Sequence, residues 1–215
     1  MKLIYIWLLF IATSISFAQS SVSFDNMGNI NTPDSKYLTL GHKANQKGRT
    51  EQANKHFKKA AQLGNEEAKI LLANNYIKAE DYSTALSWLK LIEANQLKAN
   101  TQINQAIQTL NQLLSNEQLQ SSQLLQDQLQ QNYSQSATEK NRQKWRDQLQ
   151  FTGTRVRGQV PHHLTVYPIE NGVIGLTTIT IRDHQIRSQL NQYVKEYDHK
   201  PYQGQVTLAP IEINN

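Results

Sequence analysis

The sequence predicts a mainly α protein: an α/α helical-hairpin repeat with capping helices, followed by a small α+β C-terminal unit. Three observations predict it. Leu40, Gly41, Ala44, Ala53, Phe57 and Ala60 are answered at an offset of 32 residues by Leu72, Ala73, Tyr76, Ala85, Leu89 and Ile92. Helical periodicity then continues, without the repeat, through a glutamine-rich stretch. After Gln150 the period switches from helical to alternating.

The expected organisation is a signal peptide (1–18), a flexible leader (19–36), the repeat region with its capping helices (37–131), a basic linker helix (132–150) and the α+β unit (151–215). Met1-Lys2 is a short basic start, residues 3–12 are an apolar run, and Ser16-Phe17-Ala18 offers small residues to a peptidase, with cleavage expected between Ala18 and Gln19. The alternative is an uncleaved anchor, for which the run is short against the about 20 apolar residues of a membrane span. Residues 19–36 are polar, contain Pro33 and show no sustained period.

The repeat itself follows from residue sizes. Small residues at Gly41/Ala73 and Ala53/Ala85 let helix backbones approach closely, and the bulky residues four positions along fill the groove between them. Asp34 or Ser35 is expected to cap the first helix, which runs to about Gln46. Lys47-Gly48-Arg49 makes the turn, and the second helix covers about 50–63. Gly64 suits the left-handed conformation after a helix C-terminus, Asn65 caps the next helix, and Glu66 and Glu67 lie in its first turn, where the macrodipole favours acids.

Residues 97–129 place Ile103, Ile107, Leu110 and Leu113/Leu114 on one helical face, with Leu119, Leu124/Leu125 and Leu129 on a following helix after a turn at Ser115-Asn116-Glu117. We expect a degenerate third pair that closes the stack, since a repeat with an exposed apolar end needs a cap. A coiled coil or a disordered glutamine tract competes with it. A coiled coil would need sustained heptads with charged flanks, and these runs are short and nearly uncharged.

Lys140, Arg142, Lys144 and Arg146 form a basic run, extended by Arg155 and Arg157. It is either a patch for an anionic partner or a solvated helix face whose Trp145 and Leu149 point inward; Glu139 and Asp147 dilute the charge. Beyond it, residues 151–159 and 164–169 read as strands, and Glu170-Asn171-Gly172 as a hairpin turn with a return strand over 173–181. Ile186, Leu190, Tyr193/Val194 and Tyr197 mark an amphipathic helix, and 205–213 a last strand. Too small to be very stable alone, this unit is expected to pack one sheet face on the preceding helices.

The chain of 215 residues has no cysteine, which removes disulfides, thiolate metal sites and a lipid-attachment motif. Its formal net charge of +5 does not by itself argue for nucleic acid. A mean hydropathy of -0.61 suits a thin stack whose helices each keep one wet face. His162-His163, Asp183-His184 and Asp198-His199 lack the paired spacing of a zinc site. No nucleophile elbow, Walker loop or dinucleotide fingerprint occurs, so no catalytic residue, metal or cofactor is expected.

The run Ala53-Asn-Lys-His56-Phe57-Lys-Lys59-Ala60-Ala61-Gln-Leu-Gly64-Asn65-Glu-Glu-Ala68, followed by Leu72-Ala73 and Tyr76, is similar to the Sel1-like variant of the tetratricopeptide repeat, and the resemblance covers 37–93. Ala85-Leu-Ser-Trp88-Leu89-Lys90 continues it in plainer tetratricopeptide form. The resemblance implies a partner-binding groove lined by the first helix of each unit, at His42, Asn45 and Gln46 and at Glu67, Asn74 and Lys78. Together with the expected signal peptide and the modest charge, this gives an exported, periplasmic or secreted adaptor for a protein or peptide partner of unknown identity, with no nucleic acid and no stable membrane insertion after cleavage. The alternative is an envelope-binding module whose basic C-terminal unit engages an anionic polymer, lipid or protein, the repeats being spacer. A small hydrolase is a third, more remote possibility.

Overall fold

The computed structural model describes residues 22–92, 101–151, 156–170, 173–196 and 208–211. Helices α1 (Pro33–Gln46), α2 (Thr50–Ala61), α3 (Glu66–Lys78) and α4 (Tyr82–Leu89) pack each on the next. The signal segment expected at 1–18 lies outside the described residues.

The backbone repeats with the sequence. The Arg49 N–H donates to Ala44 O at 3.0 Å and that of Gly48 to Asn45 O at 2.9 Å; 32 residues on, Asp81 donates to Tyr76 O at 3.0 Å and Glu80 to Ile77 O at 2.9 Å. Both loops thus close their helix through a left-handed residue, Gly48 at φ 68° and Glu80 at φ 57°. Glycine accepts that conformation freely and glutamate does not. Glu80→Gly is therefore expected to stabilise the chain by about 0.5–1 kcal/mol in urea unfolding. An unchanged midpoint would mean that the Glu80 side chain makes compensating contacts.

One hydrophobic core runs through the stack. Ala53, Phe57, Ala60, Leu72, Ala73, Ala85 and Leu89 are fully buried, and Ala44 and Ile92 nearly so. At Gly41 α1 and α2 leave no room for a side chain: a Cβ there would stand 2.3 Å from Phe57 Cε1.

The start of α1 differs from expectation. Thr32 is its N-cap and Pro33 occupies the first helical position. Asp34 instead turns inward, and its Oδ2 accepts from Asn65 Nδ2 at 3.1 Å. Asn65 also caps α3, its Oδ1 accepting from the Ala68 N–H at 3.0 Å. One buried amide thus ties the starts of both hairpins. Asn65→Ala is expected to cost about 2 kcal/mol in denaturant unfolding, a lost cap plus a desolvated carboxylate. Asn65→Ser, which restores the cap oxygen but not the amide donor, should recover about half; full recovery would show that the Asp34 link contributes nothing.

Helices α5 (Thr101–Leu113) and α6 (Asn116–Tyr133) close the stack against α4. Ser115 makes a reciprocal capping box with Gln118. Ser87 and Ser122, both fully buried, meet at 3.1 Å, so small polar residues set this helix crossing. Trp88 meets Tyr133 edge-on at 4.8 Å between ring centroids. Ile103, Leu110 and Leu114 are buried as the periodicity implies, while Leu124 faces solvent at 65 % exposure.

Helix α7 (Gln135–Gln148) bonds to the residues just after α2, and Leu149 at its end joins a second core with Phe24, Phe151, Val160, Leu164, Ile181, Ile186 and Leu190. Strand β1 (His163–Val166) pairs antiparallel with β4 (Ile179–Arg182), and β2 (Ile169–Glu170) with β3 (Val173–Ile174). Helix α8 (Asp183–Asn191) follows, continued by a π-helical turn, Gln192–Glu196.

Several expectations for this unit need correction. Residues 156–159 form a turn with Gly158 at φ 73° rather than a strand. The return strand expected over 173–181 is broken at 175–178, where Gly175 closes on Pro168 O at 2.7 Å and Leu176 is 98 % exposed. Pro168 cannot donate to a ladder, so the pairing stops beside it. Within the expected 205–213 strand, residues 208–211 have no regular secondary structure. The inner sheet residues Leu164 and Ile181 pack on α8, the end of α7 and the N-terminal leader, not on the repeat helices.

That leader is the largest difference. Residues 22–31, expected to be flexible, fold into a turn that clips onto the C-terminal unit. Phe24 is 1 % exposed in the second core, its carbonyl accepts from the Ile169 N–H, and Gln189 both accepts from the Ile30 N–H at 2.7 Å and donates to Gly28 O at 3.0 Å. The turn is held from within by Asp25. Partial burial pulls its carboxyl upward, but bonds from the Asn29 amide and from the backbone at Asn29, Met27 and Gly28 outweigh it and hold the group below its ordinary value.

Candidate functional site

Of the six residues the repeat geometry implies, His42 of α1 and Glu67 of α3 meet directly. His42 Nε2 and Glu67 Oε1 are 3.1 Å apart. Asn45 exchanges two amide hydrogen bonds with Asn75, at 3.2 and 3.3 Å, and Asn75 also donates to Asn54 Oδ1 at 2.7 Å. These contacts hold α1 and α3 in register, so the two helices present one rigid surface. Gln46 and Lys78, at equivalent helix ends, are exposed.

Asn74 occupies the position in α3 that His42 occupies in α1. It is 8 % exposed, because a later piece of the chain covers it: the Ala209 N–H donates to Asn74 Oδ1 at 2.7 Å. Leu208, Ala209 and Ile211 lie half-buried against the first core, while Pro210 faces outward. The face therefore already holds a short stretch of non-helical backbone, one amide to one side-chain carbonyl, with apolar residues on either side. Sequence reasoning missed Asn54, Asn75 and Ala209. Asn54 and Asn75 sit in helices among residues of their own kind, and a segment with strand-like composition gives no signal that it will lie on a helix face rather than join a sheet.

The basic run does not assemble into one surface. Lys140, Lys144 and Arg157 are exposed, Arg146 binds its neighbour Asp147 at 2.9 Å, and Arg155 lies outside the described residues. Arg142 is fully buried. Its Nη1 donates to Leu63 O at 2.9 Å, and its Nε and Nη2 to Val194 O at 3.4 and 3.3 Å. It fastens α7 to the C-terminal end of α2, where carbonyls lack helical partners and the dipole favours a cation, and to the π-helical turn. A patch that needs Arg142 at the surface is thus corrected: helical spacing puts it beside Arg146, but the carbonyls of Leu63 and Val194 take it inward.

His162, His163 and His184 are exposed, and Asp183 pairs with Arg187 at 3.8 Å. Among the described residues, no three histidine or carboxylate side chains cluster as a metal would require, and no helix is long and apolar enough to cross a membrane.

The fold and this face define a protein rich in helical hairpins, carrying a small antiparallel sheet, whose α3 contacts non-helical chain at Asn74. No protein-family model, no curated protein and no solved structure matches the sequence.

Proposed function

We propose that the chain is an exported adaptor of the tetratricopeptide or Sel1-like kind, acting in a bacterial cell envelope, whose α1–α3 face takes a segment of a protein or peptide partner. The observation that carries this is the seat at Asn74. A side-chain amide fixed on a helix face receives a main-chain N–H, and a face that accepts one backbone in that way is suited to accept another. The hydrogen-bonding pattern repeated at an offset of 32 residues supports the repeat assignment, and the basic start with its short apolar run supports export. The groups on offer are amides, a histidine–glutamate pair and half-covered apolar surface, which suit recognition.

The test is crosslinking in cells followed by recovery of the mature chain, comparing the unaltered protein with one carrying both Asn74→Ala and Lys78→Ala. A specific protein recovered with the first and at least about tenfold less with the second, at equal helicity by circular dichroism, supports the adaptor. Equal recovery from both moves binding off this face. A partner lost steeply with added salt points instead to the exposed Lys140, Lys144 and Arg157.

A further inference from the structure

We propose that the 208–211 segment is a displaceable cis ligand of the α1–α3 face: the face takes extended peptides of the type apolar–Ala–Pro–apolar and stays closed until such a peptide competes the segment away. This rests on the peptide-binding role proposed above and adds the ligand's sequence class and a regulatory step.

The contact chemistry is that of a bound peptide. The Ala209 N–H meets Asn74 Oδ1 at 2.7 Å, a bond that recognises backbone and is indifferent to side chain. Selectivity falls to the neighbours, Leu208 and Ile211, which rest on the core from either side, and to Ala209, whose small side chain keeps the backbone close. Proline at 210 supplies no donor and restricts the residue before it to extended conformations, so the segment is shaped for the face before it arrives. A peptide with proline at the Ala209 position would be refused, having no N–H for Asn74.

The seating is also partial. Leu208, Ala209 and Ile211 are half-buried against the first core and Pro210 is exposed. A half-covered segment leaves an edge from which a competing peptide can begin to displace it. The tether sets the competition. Because the segment belongs to the same chain, its competition with a free peptide is intramolecular, at an effective concentration on the order of millimolar. A free peptide with micromolar intrinsic affinity is then held off by orders of magnitude until it is abundant, or multivalent, or the segment is drawn away.

The test uses the full chain and a fluorescent peptide of residues 204–215. In fluorescence anisotropy, Ala209→Pro, which removes the one N–H and keeps the backbone extended, is expected to bind the peptide at least about tenfold more tightly than the unaltered chain. Adding Asn74→Ala to it should abolish the gain. In the unaltered chain, the Ala209 amide should be protected from hydrogen exchange and lose protection on addition of millimolar unlabelled peptide, a readout that needs no variant. Equal affinity in the two chains, or an Ala209 amide whose exchange ignores saturating peptide, overturns the proposal. An outside partner that crosslinks equally to the unaltered and Ala209→Pro chains removes the cis ligand but leaves the adaptor. Displacement as described, with no outside partner recovered in cells, does the reverse.

Discussion

Arg142→Met is expected to destabilise the chain by about 3 kcal/mol, with the loss concentrated where α7, α2 and the π-helical turn meet. The guanidinium is fully buried and bonds the carbonyls of Leu63 and Val194, while its neighbour Asn141 bonds that of Gln62 at 2.9 Å. Methionine keeps most of the volume, so the effect reports the lost donors and the carbonyls of Leu63 and Val194 left without them, not a cavity. Arg142→Lys should recover little, because one ammonium cannot present the guanidinium's spread of donors to two carbonyls. Urea unfolding gives the total, and amide exchange its location: protection should fall first in α8 and the residue 22–31 clip, while α3 and α4 hold. A uniform loss would show that the two cores unfold as one unit; no loss would mean that the interface reseals around methionine.

Gly41→Ala is expected to cost about 3 kcal/mol despite the better helix propensity of alanine, worth about 1 kcal/mol the other way. The added methyl would fall 2.3 Å from the Phe57 ring, which is fully buried and flat-sided, so the two helices must part. Unit two contains the remedy. At the equivalent positions it carries Ala73 and Leu89, both fully buried. Gly41→Ala combined with Phe57→Leu rebuilds that pair in unit one and should be more stable than Gly41→Ala alone, with a coupling of about 1–2 kcal/mol in a double-mutant cycle. Additive costs would show that the hairpins use their small–large pairs differently, and the 32-residue correspondence would stop at the backbone.

Much of the helical part was legible because its signals are local. Gly48, Gly64, Asn65 and Ser115 act within a few residues of themselves, through a φ angle or a bond to the third residue along, and each stands in the structure where its chemistry places it. The burial of Ala53, Phe57, Ala85 and Leu89 follows from helical period and side-chain size, both read directly from the order of residues. Glu80 shows the limit even here. Its left-handed backbone copies that of Gly48, but the residue type conceals it.

The candidate face was half legible. His42, Glu67, Asn45 and Asn74 follow from the repeat, but what meets them does not: Asn74 lies 135 residues from the amide it binds. The same holds for Gln189 and the leader, 159 residues apart, and for Arg142 and Leu63, 79 apart.

Residue order therefore determined the hairpins, their caps and their apolar stripe, because periodicity, turn chemistry and side-chain volume act over one or two helical turns. Only the tertiary structure decided that Arg142 is a buried clamp rather than part of a patch, that residues 22–31 are a clip rather than a tether, and that 208–211 lies on a helix face rather than in a sheet. A polar side chain or a short extended segment can satisfy itself in water or against many surfaces, and which surface it meets depends on how the helices cross, a geometry to which the whole chain contributes.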